Sequence, residues 1–386
     1  MTDLPFLQLT ERYPDEASAV AYFEQKRWPN GALCTGCNSR NVYNCNARRK
    51  LPLYKCQDCN KQFTVTSGTV MNNTRIPLRA WLFAFHLMGG ARKGVSARQL
   101  ARHLGITVKS AWHLAHRIRT TMTDDTQRFS GIVESDEAYL GGRRRFHGRG
   151  YRGNKVAVQT IIRRGSKTTR GGTLGKRTGK SAFSQAQTIV LNKDSHVDGR
   201  SVGAKLRTHT EPDQTVLMTD ESPIYDKVGE KFAEHHTVKH KKKEYARIAD
   251  DGHFAHTNTA EGYFGNFKRQ IEGTHHSVSK KHAQRYAEEH DHKYNLRNKS
   301  DTEIAEAAID KIGQSKPLTL YKSASGQGES LIETKKGERR AHGTLRGMSP
   351  HKRTGKKKEA AAAMTQAVPG QSAGPTGPEG QGMVGQ

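Results

Sequence analysis

Two sets of residues in this 386-residue chain have the types and spacing that do chemistry. The first is Cys34-x2-Cys37 followed, eighteen residues on, by Cys56-x2-Cys59. Each CxxC pair forms a knuckle that offers two thiolates to one ion. The spacer is long enough for a hairpin that brings both knuckles into one tetrahedral zinc site. Four thiolates leave no open position, so one such Zn²⁺ is structural. Reduced free cysteines or a redox pair are the alternatives, but a redox CxxC occurs singly, at a strand–helix junction. Cys45 lies between the pairs and reads as a spectator.

The second set is acidic: Asp136, Asp220 and Glu261. Asp136 sits in the strand pattern Gly131–Gly142, where Ile132, Glu134, Asp136 and Ala138 share one face. Asp220 ends the apolar run Thr215–Thr219, as a buried strand would deliver a carboxylate at its C-terminal end. Glu261 opens a pattern in which Phe264, Phe267 and Ile271 recur at helical spacing. Lys268 is seven residues further and shares the face of Glu261, in reach of a phosphate near the site. Three carboxylates from two strands and one helix can hold two Mg²⁺ or Mn²⁺ ions, which prefer hard oxygen ligands. Such a pair stabilises both the attacking and the leaving oxygen of an in-line phosphodiester displacement. Singly, each acid reads as well as a solvated surface charge, and the helix dipole favours Glu261 in any case. Asn258 reads as a helix cap, with a third ligand position as its alternative.

The elements that must position these groups are legible at coarse grain. Strand signals follow at Lys155–Arg163 and Ala186–Leu191, then a helix over roughly Asp198–Thr208, so residues 126–300 read as an α/β domain. Residues 1–70 are loop-rich and hold all five cysteines, a zinc ribbon with a lead-in. Residues 71–125 read as helices, with Pro77 suited to a first turn. Within them, Ser96 caps one helix, Gly105 supplies a left-handed turn and Thr107 caps the next. This is helix-turn-helix grammar, with Lys109, Ser110, His113, Arg117 and Arg119 expected to face a major groove. A helical hairpin that only packs is the bland alternative. Residues 301–386 form a basic tail, read as largely disordered and ending in a Gly-, Pro- and Gln-rich stretch.

The formal net charge is +27, from 64 Lys and Arg against 37 Asp and Glu. That excess implies a polyanionic partner, with double-stranded DNA first. No lipidation motif, basic amphipathic stretch or apolar run of about 20 residues argues for a membrane. The slightly acidic N-terminus is unlike a secretion signal. A cytoplasmic, nucleoid-associated protein is expected, and its reducing surroundings favour metal or free thiol over disulfides.

At these residues the chain resembles the insertion-sequence transposases that join an N-terminal zinc ribbon to an ISXO-like, integrase-type DDE domain. In the front part the resemblance rests on Arg27-Trp28-Pro29-x-Gly31, the four cysteines, Phe63 and Ser67-Gly68-Thr69. Further on it rests on Glu134-x-Asp136-Glu137-x-Tyr139-x-Gly141-Gly142, Thr219-Asp220 and His256-Thr257-Asn258-x2-Glu261. It continues through Lys268-Arg269, Gly273–His276, Val278-Ser279, His282, Arg285-Tyr286 and Tyr294-Asn295-x-Arg297. The departures are Gly265 and Ala260, where bulkier residues are usual, and both are expected to loosen the helix carrying Glu261.

The resemblance implies an RNase H-like mixed sheet with Asp136 on its first strand, Asp220 at the end of the fourth and Glu261 on a following helix. It implies metal-dependent cutting at the ends of a mobile element and joining of the freed 3′ hydroxyl to target DNA. No covalent enzyme intermediate is needed. A homo-oligomer on DNA is expected, because two ends must be held together. Tyr139 and Arg143-Arg144-Arg145 are candidates to line the DNA path, and His275 and His276 either approach the scissile phosphate or pack. The rival readings are a zinc-ribbon regulator that binds DNA without cutting, a retired transposase, and a nuclease of the same fold without strand transfer.

Overall fold

The computed structural model describes residues 5–46, 51–124, 128–141, 155–165, 183–191, 197–239, 244–249 and 252–314. Helices α1 (Phe6–Arg12) and α2 (Glu16–Arg27) lead into a small antiparallel sheet of β1 (Val42–Asn46), β2 (Leu53–Cys56) and β3 (Gln62–Phe63). Trp28, Tyr54 and Phe63 pack with ring centroids 5.6 to 5.8 Å apart, joining this sheet to the end of α2. Arg27 donates to the carbonyls of Val65 (2.5 Å) and Ser67 (2.7 Å), which fixes the exit of the ribbon.

Three helices follow: α3 (Leu78–Gly90), α4 (Ala97–Leu104) and α5 (Val108–Arg119). Pro77 stands just before α3 rather than inside its first turn. The first N–H groups of α3, on Leu78 and Arg79, donate to the Glu16 carboxylate of α2 at 2.6 and 3.0 Å. The expected helix-turn-helix punctuation is present. Ser96 accepts from the Gln99 N–H, Thr107 accepts from the Ser110 N–H, and Gly105 turns the chain at φ 63°. Leu100, Ala111 and Ala115 are buried between α4 and α5. Ribbon and helices share one core, in which Cys56 and Phe63 join Trp81, Phe85, Leu100 and Ile118.

The α/β part has β4 (Phe129–Leu140), β5 (Val156–Arg163), β6 (Gln185–Val190), α6 (Gly199–His209), β7 (Thr210–Asp220), a 3-10 turn (Pro223–Tyr225), α7 (Asp226–Gly229) and β8 (Glu234–Val238). A short hairpin, β9 (Ala246–Ile248) and β10 (Phe254–His256), precedes α8 (Asn258–Gln270), a π-helical turn (Ile271–His275) and α9 (Ala283–Asn295). The strands form one mixed sheet in the order β6-β5-β4-β7-β8. β4, β5 and β6 pair antiparallel, whereas β7 and β8 run parallel to β4. This is the arrangement the resemblance implies, with Asp136 on the first strand of the sheet and Asp220 ending the fourth. Seven of the eight residues of β5 are buried because both faces are covered. On one face Val158 and Ile162 meet Tyr263, Phe264 and Phe267 of α8. On the other, Ala157 and Ile161 meet Val202 and Leu206 of α6.

Helix α9 also closes a sheet edge. The Ala186 and Thr188 N–H groups of β6 donate to Asn295 (2.7 Å) and Asp291 (2.7 Å), and Val190 donates to Gln284 (2.8 Å). Asn295 and Gln284 return bonds to the carbonyls of Ala186 and Thr188. Side chains thus replace a missing neighbour strand, which removes an exposed edge. Tyr294-Asn295-x-Arg297 belongs to this cover, since Arg297 donates to the Ser184 carbonyl at 2.7 Å.

The sequence assigns residues 301–386 to the tail, but its first part is ordered. Helix α10 (Asp301–Ile309) starts with a full capping box between Ser300 and Glu303. It packs on the front half: Ala308, Ile309 and Ile312 join the shared core, and Tyr22 donates to Glu306 at 2.7 Å. A local cap and an apolar stripe (Ile304, Ala305, Ala308) offset the polar composition that made the segment read as tail. Residues 315–386, including the basic clusters, lie outside the described residues.

The packed helices bury His290 and His292 and partly bury His275. Burial, above all, pulls His290 down to about 3 and His275 and His292 down to about 4. Their folded values lie below the unfolded value of about 6.5, so the stability they contribute is present above that pH and is lost on acidification. The melting temperature is therefore expected to fall steadily from pH 6.5 toward 4. A flat profile across that window would contradict the buried placement of these rings.

Candidate functional site

The four cysteines come together. Their ligand atoms lie within 4.8 Å of one another, with Cys34 Sγ 3.4 Å from Cys59 Sγ and Cys37 Sγ 3.6 Å from Cys56 Sγ. A tetrahedral site with Zn–S near 2.3 Å separates sulfurs by about 3.8 Å, so the set fits one structural Zn²⁺. The local backbone explains the fit. Asn38 and Asn60, each directly after a CxxC pair, both adopt φ 58°, turning the chain back after the knuckle. The Cys34 N–H donates to the Ser39 carbonyl and the Cys56 N–H to that of Lys61, both at 3.0 Å, and the Gly36 N–H points at Cys34 Sγ. Cys45 stays apart, exposed and against the Leu53 carbonyl.

Asp220 is the last residue of β7, whereas Asp136 lies inside β4, four residues before its end at Leu140. Paired residues Glu134 and Met218 lie side by side on these parallel strands. The pairing of β4 with β7 ends there, and Asp136 and Asp220 are each two residues beyond it. Asp136 shares the β4 face of Glu134 and Ala138, the face covered by α8. Asp136 Oδ1 accepts from the Glu137 N–H (2.8 Å) and Asp220 Oδ1 from the Ser222 N–H (3.1 Å). Glu261 is exposed in the first turn of α8. Among the described residues, the cysteines are the one His, Cys, Asp or Glu set with three ligand atoms inside 4.8 Å. Asp136, Asp220 and Glu261 do not make such a set. Their hard oxygens suit Mg²⁺ or Mn²⁺ rather than zinc. Lys268 is exposed on α8, about 10 Å along the helix from Glu261.

Glu137 faces the opposite side from Asp136. Its carboxylate accepts from the Tyr225 hydroxyl, which contacts Ser135 Oγ at 2.9 Å, and Gln159 donates to Ser135. Burial pushes Glu137 up to about 8, and the Asp136 and Asp220 charges add to the shift against the Tyr225 bond. Burial thus favours the protonated form of Glu137, which supports the strand from beneath.

Sequence reasoning missed how α8 is anchored. Asn258 is not the cap; the helix already includes it, and Thr257 stands at the cap position without a side-chain cap bond. The Ala260 N–H donates instead to Glu134 Oε2 on β4, at 2.9 Å. Glu134 was the detectable signal, an acid on an otherwise apolar strand face. Its partner Arg164, 2.5 Å away, carries no local signature. Helix α8 runs unbroken through Gly265, and Ala260 is fully buried.

The groove-facing set is also corrected. Lys109 is exposed, and Ser110 and His113 are partly so, but Arg117 and Arg119 are buried. Arg117 donates to the Asn72 carbonyl at 2.6 Å and lies over the Trp81 ring. Arg119 pairs with Glu289 of α9 at 2.6 Å and lies over the Tyr286 ring. Lys293 also meets Glu289 and donates to the Ala91 carbonyl at the end of α3. The end of α5 is joined to α9 by the buried Arg119–Glu289 pair, whose carboxylate Lys293 of α9 also meets. His275 packs on Tyr286, with ring centroids 4.7 Å apart, and a Cβ on Gly94 would lie 3.0 Å from its Nε2. His276 is exposed. Tyr139 is partly buried and packs against the core on the α6 side. Arg143, Arg144 and Arg145 lie outside the described residues. Among the described residues, no helix is long and apolar enough to cross a membrane.

Comparison with known proteins agrees with this layout. Residues 128–295 match the family described as ISXO2-like transposase domain, and residues 14–62 match the transposase zinc-ribbon domain. A protein from Halobacterium salinarum, described as an uncharacterized protein in transposable element ISH50, is 28% identical over 128 residues. That alignment covers 33% of this chain and 43% of the relative.

Proposed function

The chain belongs to the transposases that combine a zinc ribbon with an ISXO2-like domain, and on that premise we propose that it binds the terminal repeats of its element, cuts the DNA ends and transfers the 3′ hydroxyl to target DNA. The observation that carries this reading is that Asp136 and Asp220 each lie two residues beyond the last paired residues of the parallel neighbours β4 and β7, with Glu261 in the first turn of the helix over that face. Asp136, Asp220 and Glu261 would hold two Mg²⁺ or Mn²⁺. Bound there, the ions supply charge stabilisation for the attacking and leaving oxygens of a phosphodiester. The chain's own part is to hold three carboxylates on rigid elements and to bring DNA to them. Lys268, two helical turns from Glu261, receives a backbone phosphate. The exposed part of α5, with Lys109, Ser110 and His113, reads the duplex, while the net charge of +27 supplies affinity that weakens with salt. Two copies acting together on paired ends complete the assembly.

The test uses the full chain, its zinc in place, and linear DNA carrying the element's ends. Nicking and joining that require added Mg²⁺ or Mn²⁺ are expected. Specific binding with no cutting in either metal would contradict the proposal and favour a regulator or a retired enzyme. Cutting without joining would favour a nuclease.

A further inference from the structure

We propose that Glu134 and Arg164 form a buried clamp that positions Glu261 relative to Asp136. The inference rests on the reading of Glu261 as a metal ligand. Glu134 is on the same face of β4 as Asp136, two residues before it, and is fully buried. Both of its oxygens are engaged by protein groups. Oε1 takes Arg164 Nε at 2.5 Å, and Oε2 takes the N–H of Ala260, the residue directly before Glu261, at 2.9 Å. Glu134 is therefore not a fourth ligand, although it is an acid on the site face.

Arg164 extends the clamp in the other direction. Its Nη1 donates to the Phe254 carbonyl at 2.7 Å and its Nη2 to that of His256 at 2.5 Å, holding β10, which leads directly into α8. Its own backbone N–H donates to the Ile132 carbonyl of β4 at 2.9 Å. One ion pair thus fastens the strand before α8 and the first turn of α8 to the strand bearing Asp136. A carboxylate is a favourable acceptor at a helix N-terminus, and charge-assisted bonds are short and directional. Apolar side chains could fill the same space, as buried ion pairs are often replaceable without loss of stability. They would not fix the rotation and height of α8 over β4. Because Glu261 follows the clamped N–H by one residue, any slip of the helix changes the separation of Glu261 from Asp136.

The experiment compares the wild-type full chain with Glu134→Gln, the double variant Glu134→Gln/Arg164→Met, Glu261→Ala, and the double variant combined with Glu261→Ala. Glu134→Gln alone leaves the guanidinium without its counter-ion and risks misfolding. The double variant removes both charges and keeps the measurement interpretable. Two quantities are read: hydrogen exchange of a peptide spanning residues 257–263 without added divalent metal, and Mn²⁺ affinity. In the double variant, exchange at residues 260–262 is expected to accelerate. Mn²⁺ affinity is expected to fall about 10-fold, the usual scale for groups that orient a ligand. Adding Glu261→Ala to it should cost little more, because both changes remove the same ligand. Unchanged exchange and Mn²⁺ affinity in the folded double variant, while Glu261→Ala binds Mn²⁺ weakly, would overturn the clamp alone. Unchanged Mn²⁺ affinity in Glu261→Ala would overturn the ligand reading of Glu261 and the clamp proposal with it.

Discussion

Asp220→Asn is expected to lower DNA end cleavage by about 10³-fold, near 4 kcal/mol of transition-state stabilisation, while leaving the fold intact. Asp136→Asn is expected to do the same. Both substitutions keep shape and one oxygen acceptor, so the bonds from Ser222 to residue 220 and from Glu137 to residue 136 can persist. What is lost is a negative charge, and with it the affinity for a hard divalent cation. DNA binding should hold or tighten slightly, because one repulsive charge leaves a surface that meets phosphates. The checks are single-turnover cleavage, a melting curve and a binding isotherm on the same preparations. A melting temperature close to wild type, with cleavage reduced and binding retained, is the expected combination. Cleavage at the wild-type rate in either variant would remove that residue from the ligand set.

The second large effect concerns zinc. Treatment with a strong chelator, or Cys56→Ser, is expected to unfold the ribbon and weaken the helices behind it. Structural zinc contributes roughly 10–16 kcal/mol of apparent binding energy in zinc-finger peptides. Here the metal knuckles are continuous with the shared core, since Cys34, Cys56 and Phe63 pack with Trp28, Trp81 and Phe85. Loss of the ion therefore reaches α3 and, through it, the helix-turn-helix. Metal analysis should find one zinc per chain, and chelation should lower both the melting temperature and the affinity for DNA. Cys45→Ser is the control: its thiol lies outside the quartet and should leave zinc content unchanged. A chain that melts at the same temperature with and without zinc would show the quartet to be four free thiols.

The parts of this protein that were legible in the sequence are those set by local rules. Ser96, Gly105 and Thr107 punctuate two helices because caps and left-handed turns depend on a few adjacent residues. The run Thr215–Asp220 reads as a strand because Val216, Leu217 and Met218 in succession are apolar, as a strand covered on both faces requires. The CxxC spacing reads as one site because a knuckle is itself local. What was not legible depends on partners far along the chain. Arg119 reads as a groove contact until Glu289, 170 residues away, is seen to neutralise it. Glu134 is a conspicuous acid whose role stays hidden without Arg164 and the Ala260 N–H. Asn258 has the residue type of a cap, but the acceptor for the start of α8 comes from a neighbouring strand. Asn295 and Arg297 stand in a motif on which the sequence resemblance rests, yet they bond to the edge strand β6 and its lead-in. Motif membership marked them as important without saying for what.

The central claim is that Asp136, Asp220 and Glu261 together hold divalent ions beside bound DNA. The most direct measurement replaces Mg²⁺ with Fe²⁺ in the complex with an element end and starts hydroxyl-radical production with ascorbate and peroxide. Radicals cut the backbone only within a few ångströms of the iron, so the break points report which residues surround it. The account predicts three clusters of cuts, around residues 136, 220 and 261, suppressed by excess Mg²⁺ and lost in Asp220→Asn. Cuts confined to the cysteine ribbon, or clusters that omit the surroundings of residues 136 and 220, would contradict it.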